Sequence, residues 1–182
     1  KGRLVHFLSR KAMNVIAGDA TVEQLYSKAL VWNPADFYEL EKEHLLLLEG
    51  WKEKSAERFL KSLAESKKVS FDRVLYALGI RYVGEATAKS VAAHFGNIDA
   101  IAKADVEDLL KVDDVGQVIA ESIYGFFADD ANKDTVDRLK AAGLKFEMEN
   151  APQKMSDILS GKTIVISGNF SIPRDDMKAL IT

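Results

Sequence analysis

The residues best suited to chemistry lie in the stretch 78–96, LGIRYVGEATAKSVAAHFG, and the chemistry they suit is the holding of an anion. After Gly84, the apolar residues Ala88, Val91, Ala92 and Phe95 recur at i, i+3, i+4 and i+7, so a turn opens into a helix at that glycine. Glu85, Thr87 and Lys89 fall in or beside the exposed first turn. The first amides of a helix have no acceptor within it and carry the positive end of its dipole. They bind phosphate without needing a cationic side chain. One copy of this pattern alone describes an ordinary helix corner with a glycine chosen for sterics. Around it, Lys67, Lys68, Arg73, Arg81 and Lys89 outnumber Asp72 and Glu85, and Lys52, Lys54 and Arg58 gather near a second such turn. Cations beside open helix starts would hold phosphates without reading bases. A β-branched residue in place of Gly84 is expected to distort the turn and to stand between backbone and phosphate.

Two other stretches imitate nucleotide chemistry without completing it. Ser160, Gly161, Lys162 and Thr163 end like a phosphate-binding loop. That loop needs a glycine where Ser156 stands and a strand before it, whereas the β-branched run KTIVIS comes after. Lys103, Ala104 and Asp105 begin a lysine-x-aspartate-glycine adenylation motif that Val106 breaks. There is no Ser/His/Asp or Cys/His set. The chain has no cysteine, and His6, His44 and His94 are too scattered for a metal set. The residues describe a binding part with no catalytic, cofactor or metal site of its own.

The elements that must position these turns are helices. With 47% hydrophobic and 29% charged residues, the 182-residue chain has ordinary globular composition, and its net charge of −3 confines any nucleic-acid contact to local patches. No apolar run reaches membrane-spanning length and no signal segment opens the chain, so a cytoplasmic protein is expected. Residues 1–14 begin abruptly, without methionine, and read as a connector after a cut end.

Helical faces follow over Thr21–Ala29, Lys42–Leu48, Ser55–Ala64, Phe71–Leu78 behind Ser70, and Val118–Phe127 with Ile119, Ser122, Ile123 and Phe126 on one side. Asn33, Pro34 and Asp36 read as N-cap, N1 and N3, and Asp105 with Asp108 forms a second cap. Asp129–Arg138 reads as a solvated helix with Val136 and Leu139 inward, and Lys145–Met148 as a short strand. The last residues of the four turns align at Gly18, Lys52, Gly84 and Gly116, a period of 32 to 34 residues. The tetratricopeptide signature is absent at that period, and tandem helix-hairpin-helix motifs fit better. Residues 149–159 read as a linker, and 160–182 as a separate segment with a strand, a Gly168–Asn169 turn and a helix from about Arg174.

SRKAMN, TVEQLY, LEGWKEKSAERFL, FDRVLYALGIRYVGEATAKSVAAHFG and GKTIVISGNFS with PRDDMKALI resemble consecutive stretches of bacterial NAD-dependent DNA ligases. The resemblance implies a mainly α fold: four tandem helix-hairpin-helix motifs over 15–148, then a truncated α/β BRCT segment over 160–182. It also implies that Gly18, Gly50, Gly84 and Gly116, with Lys52, Lys54, Arg81, Thr87, Lys89 and Gln117, grip minor-groove phosphates flanking a nick. The partners implied are duplex or nicked DNA and the remaining ligase domains, with no membrane and a place on the bacterial nucleoid. A zinc finger and an adenylation domain would precede Lys1, and NAD, Mg and zinc would belong to the longer enzyme, none to this stretch. The sequence departs from the family where Ile16, Ala17 and Gly18 shorten the first Gly-x-Gly turn, and where Lys52 and Tyr82 replace glycines.

Two other readings remain open from the residues, a helical-repeat scaffold for protein partners and a tandem-hairpin subunit of a repair nuclease. If the stretch is a binding part, incubation with NAD should leave its mass unchanged. An added AMP in the mass spectrum would overturn that expectation.

Overall fold

Helix starts organise the chain. In the computed structural model, which describes residues 1–149, the segments are α1 (Gly2–Leu8), α2 (Asp19–Ser27), a 3-10 helix (Pro34–Glu39), α3 (Lys42–Leu46), α4 (Glu53–Ser66), α5 (Phe71–Ala77), α6 (Glu85–Phe95), α7 (Ile98–Lys103), α8 (Val106–Leu110), α9 (Gln117–Ala128) and α10 (Asp130–Ala142). The fold is mainly α, as the periodicity predicts. Four pairs, α1–α2, α3–α4, α5–α6 and α8–α9, each join a first helix to a second through a turn. The second helices begin after Gly18, Lys52, Gly84 and Gly116, the four residues aligned by the sequence period.

One apolar cluster runs through all four pairs and includes Phe7, Phe37, Phe59 and Phe71, each 1% exposed or less. Phe7 stacks parallel to Phe37 with ring centroids 6.2 Å apart, tying α1 to the 3-10 helix. Residues 1–14 are therefore more than the connector the sequence suggests: Leu4, Phe7, Leu8, Ala12 and Met13 are all buried. From α1, Arg3 Nη2 donates to the Leu78 carbonyl at 3.2 Å and His6 Nε2 to the Tyr76 carbonyl at 2.8 Å, tying α1 to the end of α5.

Several boundaries differ from the sequence reading. The second helix starts at Asp19 and stops at Ser27, and Ala29, expected on its inner face, is exposed with φ +57°. Ser70 is at the N-cap of α5 but makes no side-chain cap bond. On α9 the buried face is Ala120, Ile123 and Phe127, with Ile119 and Phe126 at its margins. Helix α7, absent from the sequence reading, is capped by Asn97, whose Oδ1 accepts from Ala100 N at 2.8 Å. The expected strand at Lys145–Met148 is a single antiparallel bridge between Asn97 and Glu147, because among the described residues its backbone pairs only with the corner between α6 and α7. The remainder of the expected linker and the BRCT segment lie outside the described residues.

The 3-10 helix is locked at both ends of its sequence signature. Asn33 Oδ1 accepts from Ala35 N at 2.9 Å, and Asp36 Oδ2 accepts from Asn33 N at 2.9 Å and Trp32 N at 2.8 Å. Arg138 of α10 reaches across to Asp36 at 2.7 Å and Glu39 at 2.6 Å. Burial by itself would raise the Asp36 pKa, but the two backbone donors and the guanidinium outweigh it and hold the carboxyl below its ordinary 3.8. A carboxyl depressed in the fold contributes stability that is complete above its unfolded pKa and lost as pH falls through the folded one. Asp36→Asn should therefore cost about 2 kcal/mol at neutral pH and progressively less below about pH 4, read as the gap between variant and wild-type urea curves. A gap that does not narrow with acid would refute the assignment.

Candidate nucleic-acid interface

The chain treats its helix starts in two ways. Asn33, Asn97, Asp105 and Asp129 each place a side-chain oxygen on an amide of the helix that follows. Gly18, Lys52, Gly84 and Gly116 do not: no side-chain cap bond forms at α2, α4, α6 or α9, nor at the shorter first helices α1, α3 and α5. At α4 the Ser55 hydroxyl accepts from the N–H of Lys52 itself, at 2.9 Å, leaving the amides that follow open. All four cap residues are extended, with φ between −131° and −86°, a conformation open to any residue. A Cβ added at Gly18, Gly84 or Gly116 would meet nothing within 4 Å. Neither backbone conformation nor packing requires glycine there. This corrects the expectation that a β-branched residue at 84 distorts the turn, since φ −86° and ψ −177° suit one well.

The turns before these starts have a common frame in three pairs. The N–H of the residue before the cap donates to the carbonyl three residues earlier: Trp51 to Leu48 at 3.2 Å, Val83 to Ile80 at 3.1 Å and Val115 to Val112 at 3.2 Å. The third residue of each turn has positive φ: Gly50 at +80°, Tyr82 at +67° and Asp114 at +66°. That position of a type II turn is the one glycine fills without strain. Tyr82 thus keeps the backbone of the glycine it replaces. The first turn differs: Ala17 N closes a tighter loop onto Val15 O at 2.9 Å, the positive φ moves back to Asn14 at +53°, and Ile16 N is held instead by Ser62 Oγ at 2.7 Å.

Packing brings turns from different pairs together. An open groove of about 390 Å³ is lined by Gly18 and Thr21 from the first pair and Trp51, Ser55 and Arg58 from the second. The third pair meets the fourth where the Ser122 hydroxyl of α9 donates to the Arg81 carbonyl at 2.6 Å. A larger groove, about 700 Å³, sets the start of α6 beside the first pair, with Arg10, Lys11, Arg73 and Lys89 facing Asp72 and Glu85. Arg73 is fixed there by donating to the Arg10 carbonyl at 2.7 Å and the Lys11 carbonyl at 3.3 Å. Glu85 turns to Lys11, 3.4 Å away, rather than onto the helix start.

Of the residues singled out from sequence, Gly18, Lys52, Gly84 and Gly116 are the four caps, Gly50 is a turn residue, and Lys54, Thr87 and Gln117 stand in the first turns of α4, α6 and α9. Lys52, Lys54 and Lys89 are exposed and make no ion pair among the described residues. Arg81 lies over the Tyr82 ring, 5.0 Å from its centroid. The side-chain amide of Gln117 is engaged by Glu121 at 2.7 Å, so its contribution is its backbone N–H. Arg10 and Lys11 line the groove beside α6 without being singled out by the sequence, since only the fold carries them more than seventy positions along the chain to α6. Among the described residues, no group of three or more His, Asp or Glu could hold a metal ion, and no helix is long and apolar enough to cross a membrane.

Residues 73–136, which span nearly all of the third and fourth pairs, match the family model described as helix-hairpin-helix motif, and that is their class. Along its length the chain is similar to proteins named DNA ligase. It is 48% identical over 100% of its residues to the one from Parabacteroides distasonis, 42% over 100% to the one from Porphyromonas gingivalis, and 45% over 98% to the one from Koribacter versatilis. The chain spans 26% to 28% of the length of these relatives, so it is similar to a part of them.

The two uses of glycine predict opposite stability effects. Gly50→Ala forces a Cβ onto φ +80° and should cost about 1 kcal/mol. Gly84→Ser, which can cap the amides of α6, should be neutral or stabilise by a few tenths of a kcal/mol, measured by urea unfolding. Equal losses would mean that Gly84 is required by the fold.

Proposed function

We propose that this chain is the DNA-gripping part of an NAD-dependent DNA ligase. Its four turns act as tandem helix-hairpin-helix motifs that hold backbone phosphates on both sides of a nick, whatever the base sequence. The observation that carries this reading is that the second helix of each pair starts without a side-chain cap, three of them on glycines that neither backbone nor packing demands. Phosphate oxygens would accept from these amides, and bare glycine lets a strand approach the backbone. The basic groove beside α6 adds Arg10, Lys11 and Lys89, which is how a chain of net charge −3 can present positive potential locally. In the longer protein, an adenylation domain would take AMP from NAD, pass it to the 5′-phosphate at the nick and seal with the 3′-hydroxyl. Mg and a zinc finger would belong to that protein. Residues 160–182 would begin its BRCT domain, and its setting would be the bacterial nucleoid, in replication and repair.

Titration of the chain with nicked duplex at several salt concentrations tests the proposal. Affinity should fall steeply with salt, and Arg81→Ala should weaken binding evenly across sequences while lowering the salt slope by about one. Salt-independent binding, or none at low salt, would overturn it. The groove beside α6 makes the third pair the strongest contact. Gly84→Val should therefore lose more affinity than Gly18→Val, with both proteins folded by circular dichroism. Equal losses would remove that ranking.

A further inference from the structure

The residue two places before each helix cap is the tip of its turn, and the four tips are not alike. Gly50 and Asp114 are bare or short, whereas Ile16 and Tyr82 are large and 59% and 56% exposed. The second and first pairs share a groove, and the fourth and third are joined through Ser122, so each neighbouring couple carries one bulky tip and one small one. Both bulky tips are fastened from behind by a serine of the neighbouring pair: Ser62 Oγ accepts from Ile16 N at 2.7 Å, and Ser122 Oγ donates to the carbonyl of Arg81, next to Tyr82, at 2.6 Å. Tyr82 also keeps an aromatic side chain at φ +67°, a conformation L side chains avoid and Gly50 adopts freely. The Arg81 guanidinium lies over its ring, 5.0 Å from the centroid. Packing does not account for an exposed aromatic residue in a strained backbone conformation. Contact with a ligand does.

We propose that Ile16 and Tyr82 are two non-ionic wedges that enter the minor groove of duplex DNA and press on its sugar walls. They set the depth at which the neighbouring helix starts meet the phosphates. The inference rests on the DNA-gripping reading above, which supplies the ligand: a tip one residue removed from a phosphate-binding helix start faces the groove edge. A minor groove about 6 Å wide admits a side chain edge-on but not a helix, and apolar wedges are a recurrent means of engaging it. Such a contact releases no counterion, so it should act on affinity and leave the salt dependence alone.

The test uses Tyr82→Gly, Tyr82→Asn and Ile16→Ala in the full chain, titrated with nicked duplex across salt concentrations and melted in parallel. Glycine and asparagine both tolerate positive φ, and alanine keeps the amide bond to Ser62. Each variant should bind roughly tenfold more weakly, the order of a lost aromatic or apolar contact to nucleic acid. The salt slope should be unchanged and the melting temperature should not fall, in contrast to the lower slope of Arg81→Ala. Wild-type affinity in all three variants would overturn the wedges while leaving phosphate gripping intact. An affinity loss that comes with a lower melting temperature in both Tyr82 variants would make Tyr82 a fold residue and also overturn them. Failure of the wild-type chain to bind would remove the underlying reading and the wedges with it.

Discussion

An amide at the start of a helix must be paired, and where no side chain pairs it, water or an anion must. The rest of this structure depends on how that requirement is met. Asn33, Asn97, Asp105 and Asp129 meet it internally and make the 3-10 helix, α7, α8 and α10 self-contained. The second helices of the four pairs leave it open, as do the shorter first helices α1, α3 and α5. Glycine at an N-cap is only a few tenths of a kcal/mol worse than serine or asparagine, so the fold gives up little at each open start. What remains is four clusters of donors with the dipole behind them, each held by a turn whose flanking residues are anchored. Ile80, Val83, Val112 and Val115 are buried, which prevents the third and fourth turns from folding back over their helix starts.

The coupling between pairs follows from the same economy of short helices. Elements of five to fourteen residues have little stability by themselves, so each must be closed by its neighbours. Helix α1 is tied to the end of α5 through Arg3 and His6. The Tyr38 hydroxyl joins the 3-10 helix to α4, donating to Ser66 Oγ at 2.7 Å while that serine donates to Leu63 O at 2.6 Å. Burial pushes the Tyr38 phenol up to about 12, so the link stays protonated through the physiological range. Arg138 closes α10 onto the 3-10 helix. These ties determine that Arg10 and Lys11 end beside α6, a placement no local pattern encodes.

Local signals were therefore legible in the sequence and distant ones were not. The period of 32 to 34 residues located four helix starts, because each depends only on the turn before it and the apolar face after it. Asn33 with Asp36 and Asp105 with Asp108 gave the caps through residues three apart. Helix α7 is not legible because its six residues bury only Ile98 and Ile101 and its Asn97 cap has no acidic N3 partner like those of Asn33 and Asp105. The packing of residues 1–14 was hidden for a different reason: Phe7 stacks on Phe37, thirty residues away. The basic groove was half legible, with Arg73 and Lys89 near Gly84 in sequence and Arg10 and Lys11 near it only in the fold.

The first turn separates what the fold needs from what the site needs. It lacks the backbone bond shared by the other three turns and carries its positive φ at Asn14, four residues before the cap rather than two. If turn geometry were the selected feature, the following helix would be expected to begin differently as well. Instead Gly18 is extended, uncapped and free of any atom within 4 Å of a Cβ, as Gly84 and Gly116 are. Ser62 replaces the missing turn bond by taking the Ile16 amide. Two turn geometries thus deliver the same open helix start. What recurs through the chain is the presentation of free amides, with the turns serving as interchangeable means of holding them outward.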